Sequence, residues 1–146
     1  MPLQIAELAS ADHAAWGELA LGYKTFYEAN LSAAEYAVAW DRLLRQDQVC
    51  GLGAKRDGVL VGISHHLYHS STWRPRVCYL QDLFVLPSAR GQGVARQLIA
   101  AVAAAAVQAG ADRLYWLTHE HNVRARRLYD QVAHYDGFIR YDLTLP

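Results

Sequence analysis

The stretch Val85-Leu-Pro-Ser-Ala-Arg-Gly-Gln-Gly-Val-Ala-Arg-Gln-Leu98 constrains this chain more than any other. The apolar run Leu83-Phe-Val85 before it reads as the end of a strand. Pro87 stops that strand, because its nitrogen carries no hydrogen for a sheet ladder. Arg90-Gly-Gln-Gly-Val-Ala95 then opens directly into an Ala-rich helix. Gly91 and Gly93 have no side chains to block close approach, so several backbone N–H groups can converge on one anion at the helix N-terminus. The helix dipole and the guanidinium groups of Arg90 and Arg96 add positive potential there. The stretch therefore predicts a diphosphate site. It is not a dinucleotide fingerprint, which needs G-x-G-x-x-G, nor a P-loop, which needs Lys-Ser/Thr after its last glycine. An ordinary glycine turn before a helix is the competing reading of the same residues.

The rest of the chain narrows the choice. Its 146 residues are most simply one domain, 1–146, large enough to bury a core. Lys+Arg and Asp+Glu balance at 14 each, which removes the basic excess expected of a nucleic-acid or membrane-surface binder. Leu98 to Ala106 is the most apolar segment and too short to span a bilayer. With no signal-peptide pattern at the N-terminus, the expectation is a cytoplasmic protein. Cys50 and Cys78 fall in predicted strands and read as buried thiols.

Leu3 to Leu8 alternates as a first strand. Ser10 or Asp12 can cap a helix from about Ala11 to Tyr23, with Trp16, Leu19 and Tyr23 at helical spacing. Ser32-Ala-Ala-Glu35 is a capping box opening a second helix to about Arg45. The connection between them, Lys24 to Leu31, is unusually aromatic. Val49 to Lys55 and Val59 to Tyr68 flank the turn Arg56-Asp57-Gly58 as a hairpin. A long strand from Arg76 to Val85 precedes the glycine loop. The next helix ends near Ala109, where Gly110 suits a C-cap. Arg113 to Thr118 reads as a strand, Asn122 to Val132 as a helix with Val123, Leu128 and Tyr129 inward, and Phe138 to Leu145 as a last strand closing the sheet. The order β-α-α-β-β-β-α-β-α-β predicts a mixed α/β sandwich.

That order, with Tyr79-Leu-Gln-Asp-Leu-Phe-Val85, Arg90-Gly-Gln-Gly-Val-Ala95, Tyr115-Trp-Leu-Thr118, Asn122, Ala125, Leu128-Tyr129 and Gly137-Phe138, resembles the GNAT N-acetyltransferases. Within them it is similar to the histone/polyamine and diamine acetyltransferase-like group. The resemblance covers about Gly62 to Leu143; the N-terminal third matches only in the order of its elements. It implies acetyl-CoA as cosubstrate, no metal, and a small-molecule amine as acceptor. It also implies that the backbone of Leu83, Phe84 and Val85 pairs with the pantetheine arm. Arg90, Gly91, Gln92, Gly93, Val94 and Ala95 would hold the pyrophosphate, Asn122 the cofactor near its thioester end, and Tyr129 would be general acid. A homodimer is consistent with it. One departure stands out: where the family usually has Glu-Asp, this chain has Gln81-Asp82.

The chemistry gives that departure weight. An alkyl ammonium must lose a proton before it can attack, at a cost of about 4–5 kcal/mol at neutral pH. An amide such as Gln81 is not a base. Asp82, Glu28, Glu120 and the histidines His65, His66, His119 and His121 remain as acceptors, directly or through water. Strand alternation puts Gln81 and Asp82 on opposite faces unless a bulge intervenes. Tyr23, Tyr27 and Glu28 are candidates for the wall of an amine pocket, beside Gln81 and Asp82. Histidines 65, 66 and 69 suggest metal at first sight, but neighbours on a strand face opposite ways. Trp73, Tyr79 and Trp116 read as core or rim, and Arg124, Arg126 and Arg127 as a solvated helix face. Acetyl transfer to a small primary amine is the expected activity. Acetylation of protein N-termini or lysines, and a non-catalytic CoA-binding sensor, are the alternatives.

Overall fold

The computed structural model describes residues 2–146. They form two compact units, 2–116 and 117–146. In the first, five strands lie side by side in chain order: β1 (Leu3–Glu7), β2 (Val49–Arg56), β3 (Val59–His69), β4 (Val77–Val85) and β5 (Arg113–Tyr115). The first three pairings are antiparallel and β4 with β5 is parallel. The β2–β3 hairpin closes through Asp57 and Gly58, both at positive φ (52° and 78°), the geometry a two-residue turn between twisted strands requires.

Helices α1 (His13–Phe26) and α2 (Ala33–Leu44) cover one face of the sheet, and α3 (Val94–Gln108) covers the other. Adjacent strand residues point to opposite sides. Ile63 joins Trp16, Leu19, Trp40, Leu43, Leu60 and Phe84 in one buried cluster. Its neighbour Gly62 lies so close to α3 that a Cβ there would meet Val94 at 2.9 Å and Leu98 at 3.1 Å. The capping box of α2 forms as expected: Ser32 Oγ accepts from Glu35 N at 3.2 Å, and Ser32 N donates to Glu35 Oε2 at 3.1 Å. Helix α1 starts later than expected, after a 3-10 turn at Ser10–Asp12, and runs on through Phe26.

Asp12 is 6% exposed and does not cap the helix through its side chain. Its carboxylate instead accepts from Ala9 N at 2.8 Å and pairs with Lys55 Nζ at 2.6 Å. Burial pushes its pKa up, but the Ala9 amide and the Lys55 ammonium outweigh burial and hold it below the ordinary carboxylate value. A group whose folded pKa is lowered stabilises the fold above its unfolded pKa, and that contribution is lost as pH falls through the folded value. Asp12→Asn is therefore expected to flatten the fall in stability below about pH 4. Urea unfolding of both proteins across that range checks it.

The second unit holds α4 (Val123–Val132) and an irregular segment after it. Four expectations need correction here and in the first unit. Phe138 to Leu145 is not a strand: Phe138, Tyr141 and Leu143 are 85% exposed or more. Alternation supplies an apolar face but no partner, and a strand without a neighbour leaves its backbone unpaired. Strand β5 stops at Tyr115 rather than Thr118, because its pairing with β4 ends there. Val123 is exposed rather than inward, as the first residue of α4 lies outside its half-buried stripe, which includes Leu128 and Tyr129. Trp73 is 91% exposed, on the β3–β4 loop, and is neither core nor rim. Among the described residues no helix is long and apolar enough to cross a membrane.

Candidate active site

The site begins where two parallel strands part. Residues Val77, Cys78 and Tyr79 pair with Arg113, Leu114 and Tyr115, and the pairing ends at Tyr79 and Tyr115, whose rings stack at 4.9 Å. From Leu80 to Val85, β4 continues paired with β3 alone, so its other edge has no neighbouring strand among the described residues. Phe84 and Val85 are buried by side chain and Leu83 half-buried. What this segment offers a ligand is therefore its backbone, the element that an extended chain adds to in β-augmentation.

The strand runs directly into the glycine loop. A 3-10 turn at Pro87–Ala89 reverses the chain. Gly91 (φ 75°) and Gly93 (φ 81°) both take left-handed backbone that any Cβ would strain, and Gly93 is the N-cap of α3. The N–H groups of the first turn of α3 have no acceptor within the helix, so the loop aims donors outward at its positive end. Gly91, Gln92 and Gly93 are exposed, whereas Val94 is buried; any part Val94 takes in anion binding falls to its amide. Arg90 differs from the simple expectation. Its Nε donates to Val85 O at 3.0 Å and its guanidinium lies 5.5 Å from the Phe84 ring centre, so this side chain clamps loop to strand. Gln92 is itself held, by Arg56 and by donation from its Nε2 to Ser88 O at 3.4 Å.

Beside the open edge, β4 carries the bulge on which the reading of Gln81-Asp82 depended. His65 pairs with Asp82 but His66 pairs with Leu80, which leaves Gln81 as the extra residue. Gln81 is exposed. Asp82 turns toward α1, where its Oδ2 lies 2.8 Å from His65 Nδ1 and its carboxylate accepts from the Tyr23 hydroxyl. His65 Nε2 in turn accepts from the Trp16 indole N–H at 3.0 Å. Burial raises the Asp82 pKa, but contact with His65, the Tyr23 hydroxyl and the Lys24 ammonium outweigh it and leave the carboxyl below its ordinary value. Burial and the neighbouring Asp82 push the Tyr23 phenol far above the usual range.

Aromatic rings pack around the Tyr23 partner of this carboxylate. Tyr23 packs on Tyr27 at 4.9 Å and edge-on to Phe84 at 6.4 Å, and Gly22 lets α1 approach Phe84 so closely that a Cβ would meet the ring at 2.8 Å. Tyr27 is thus brought to the Asp82 cluster through Tyr23. Glu28 follows at the end of α1 with φ 55°, and no contact ties it to Asp82. Sequence reasoning had His65 only as one of several proton acceptors and Trp16 only as part of a helical stripe. The bulge at Gln81, which aligns the three, has no signature in a single sequence. No group of three or more His, Cys, Asp or Glu side chains among the described residues is arranged to hold a metal.

The second unit carries the other two expected site residues. Asn122 is the N-cap residue of α4, but caps no helix N–H; its Nδ2 donates to Thr118 Oγ1 at 3.0 Å. Tyr129 is half-buried on α4. Seven residues separate the two, close to two helical turns, so they share one side of α4. Arg126 folds back to donate to Glu120 O at 2.8 Å, while Arg124 and Arg127 are exposed.

Comparison with known proteins gives the family. The acetyltransferase (GNAT) family model matches residues 14–135. An uncharacterized N-acetyltransferase of Bacillus subtilis (strain 168), YhfO, is 35% identical over 99% of both chains. The D-amino-acid N-acetyltransferase HPA3 of Saccharomyces cerevisiae is 40% identical over 53% of this chain; the match spans about half, 48%, of HPA3's own length. Among solved structures, AAC(6')-Iy in complex with a CoA-containing bisubstrate analogue superposes with a TM-score of 0.85 at 21% identity, covering 100% of both chains. That likeness speaks for the fold. The chain therefore belongs to the acetyltransferase (GNAT) family, the acetyl-CoA-dependent N-acetyltransferases.

Proposed function

We propose that this protein transfers acetyl from acetyl-CoA to the primary amine of a small molecule, by direct attack while both are bound. One observation carries the reading: the edge of β4 that opens after Tyr79 runs without a break into a left-handed glycine loop at the N-terminus of a 15-residue helix. The residues fit the cosubstrate. The β4 edge at Leu83 to Val85 suits the pantetheine arm, and the amides from Arg90 to Ala95 suit a pyrophosphate. When bound, acetyl-CoA supplies the acetyl group as an activated thioester.

The remaining work falls to the chain's own side chains. Asp82 offers negative charge for the incoming ammonium group, and Gln81, exposed on the bulge, offers hydrogen bonds without basicity. In this reading Tyr129 gives a proton to the departing sulfur and Asn122 orients the cosubstrate, roles that rest on the family resemblance. Small amines are favoured over protein amines because the carboxylate is largely covered, with 20% of its side chain exposed. The D-amino-acid substrate in the name of HPA3 points the same way. The two free cysteines, Cys50 half-buried and Cys78 buried, accord with a reducing cytoplasm.

Thiol release from acetyl-CoA across a panel of small amines, amino acids and peptides tests the proposal, with calorimetry of CoA binding alongside. Release with small primary amines is the expected result. Preference for peptide or protein amines would replace the acceptor class, and tight CoA binding without release for any acceptor would make the protein a sensor. No CoA binding at all would overturn the reading.

A further inference from the structure

The chain Trp16–His65–Asp82 contains a restriction on where protons can sit. An indole nitrogen is a donor only. The 3.0 Å contact from Trp16 Nε1 therefore requires a lone pair on His65 Nε2. The one proton of the neutral ring is then on Nδ1, where it donates to Asp82 Oδ2 at 2.8 Å. A doubly protonated ring would set two N–H groups against each other at Trp16. The His65–Asp82 contact is thus a hydrogen bond from a neutral imidazole rather than an ion pair. Trp16 is 2% exposed and packed against Trp40 at 5.2 Å, so it cannot turn aside cheaply.

We propose that Trp16 and His65 are positioning residues which hold Asp82 as a carboxylate that His65 does not neutralise, so that its charge is available to the ammonium group of the acceptor. The inference rests on the amine-acetyltransferase reading above and names the group that recognises the amine. A cationic His65 would cancel the Asp82 charge before any substrate arrived. A carboxylate without the Nδ1 donor would be more easily protonated in its half-buried recess. The other groups facing the pair are few: Tyr23 and Lys24 from α1, and His66 beside His65 on β3. Tyr23 donates to Asp82, and Lys24 acts on it only through its field. The ring of Tyr23, which reaches the carboxylate, packs on Tyr27 and edge-on to Phe84. The anchor is Asp82; its neighbour on the bulge, Gln81, is an amide.

Trp16→Phe tests the lock with the least loss of packing. It removes the donor that holds Nε2 as an acceptor. KM for a primary amine is expected to rise about ten- to a hundredfold, the range of a hydrogen bond to a charged group, with kcat changed far less. Asp82→Asn should give the same increase in KM. Nitrogen NMR of the His65 ring reads the lock without turnover: the wild type should show a protonated Nδ1 and an unprotonated Nε2, and Trp16→Phe should lose that pattern. Thermal melts and CoA affinity identify a misfolded variant, in which case the wild-type ring spectrum decides. A wild-type ring protonated on Nε2, or an amine KM in Trp16→Phe equal to that of the wild type, would overturn the inference. Failure of the underlying activity has a different signature: no amine is acetylated by the wild type while its His65 spectrum remains as described.

Discussion

Tyr129→Phe is expected to lower turnover by about 10²–10⁴-fold, the range for loss of a general acid, with CoA affinity little changed. A thiolate is a fair leaving group but leaves a protein interior more readily with a proton. Tyrosine's ordinary pKa, near 10, lies close to that of a thiol, so transfer between them is nearly balanced. Phenylalanine keeps the ring and its packing on the half-buried side of α4 and removes only the hydroxyl. Steady-state kinetics at saturating acetyl-CoA, with calorimetric CoA affinity as control, give the answer. Turnover within a few-fold of wild type would take Tyr129 out of this role and leave proton delivery to water.

Trp40→Ala should destabilise the fold by about 3–5 kcal/mol, the range for truncating a large buried aromatic. Trp40 is 5% exposed, stacks on His13 at 4.8 Å with rings 2° from parallel, and supports Trp16 from the α2 side. For a chain of this length that loss corresponds to a fall of roughly 10 °C in the melting temperature. Calorimetric melts check it. The substitution also joins stability to function: a Trp16 ring free to tilt would no longer keep its N–H on His65, so the amine KM should rise at temperatures where the protein is still folded. A melting temperature within two or three degrees of wild type would show that the cavity collapses easily.

Much of this protein is legible in one dimension because local chemistry dictates it. Pro87, Gly91 and Gly93 specify a strand end, a left-handed loop and a helix start whatever surrounds them, since φ preferences and missing N–H groups are properties of single residues. Ser32 and Glu35 mark the start of α2 for the same reason, and the Asp57-Gly58 turn sets the hairpin. The glycine loop and the family were readable from such signals. The Phe138–Leu145 segment shows the limit: its alternation is real, but strand formation is decided by a pairing partner.

The surroundings of Asp82 were decided by the tertiary structure. A single extra residue in β4, Gln81, rotates the following side chain relative to β3 and brings Asp82 onto His65. Nothing in the residue types announces that bulge, because register is set by the packing of whole strands against helices and not by any one position. The sequence by itself determined the left-handed glycine loop at the start of α3 and the family. Only the fold determined that Asp82 meets His65 and that Trp16, 66 positions upstream of Asp82, donates to the same ring. Hydrogen bonds between distant residues depend on their separation in space, and separation along the chain carries almost no information about that.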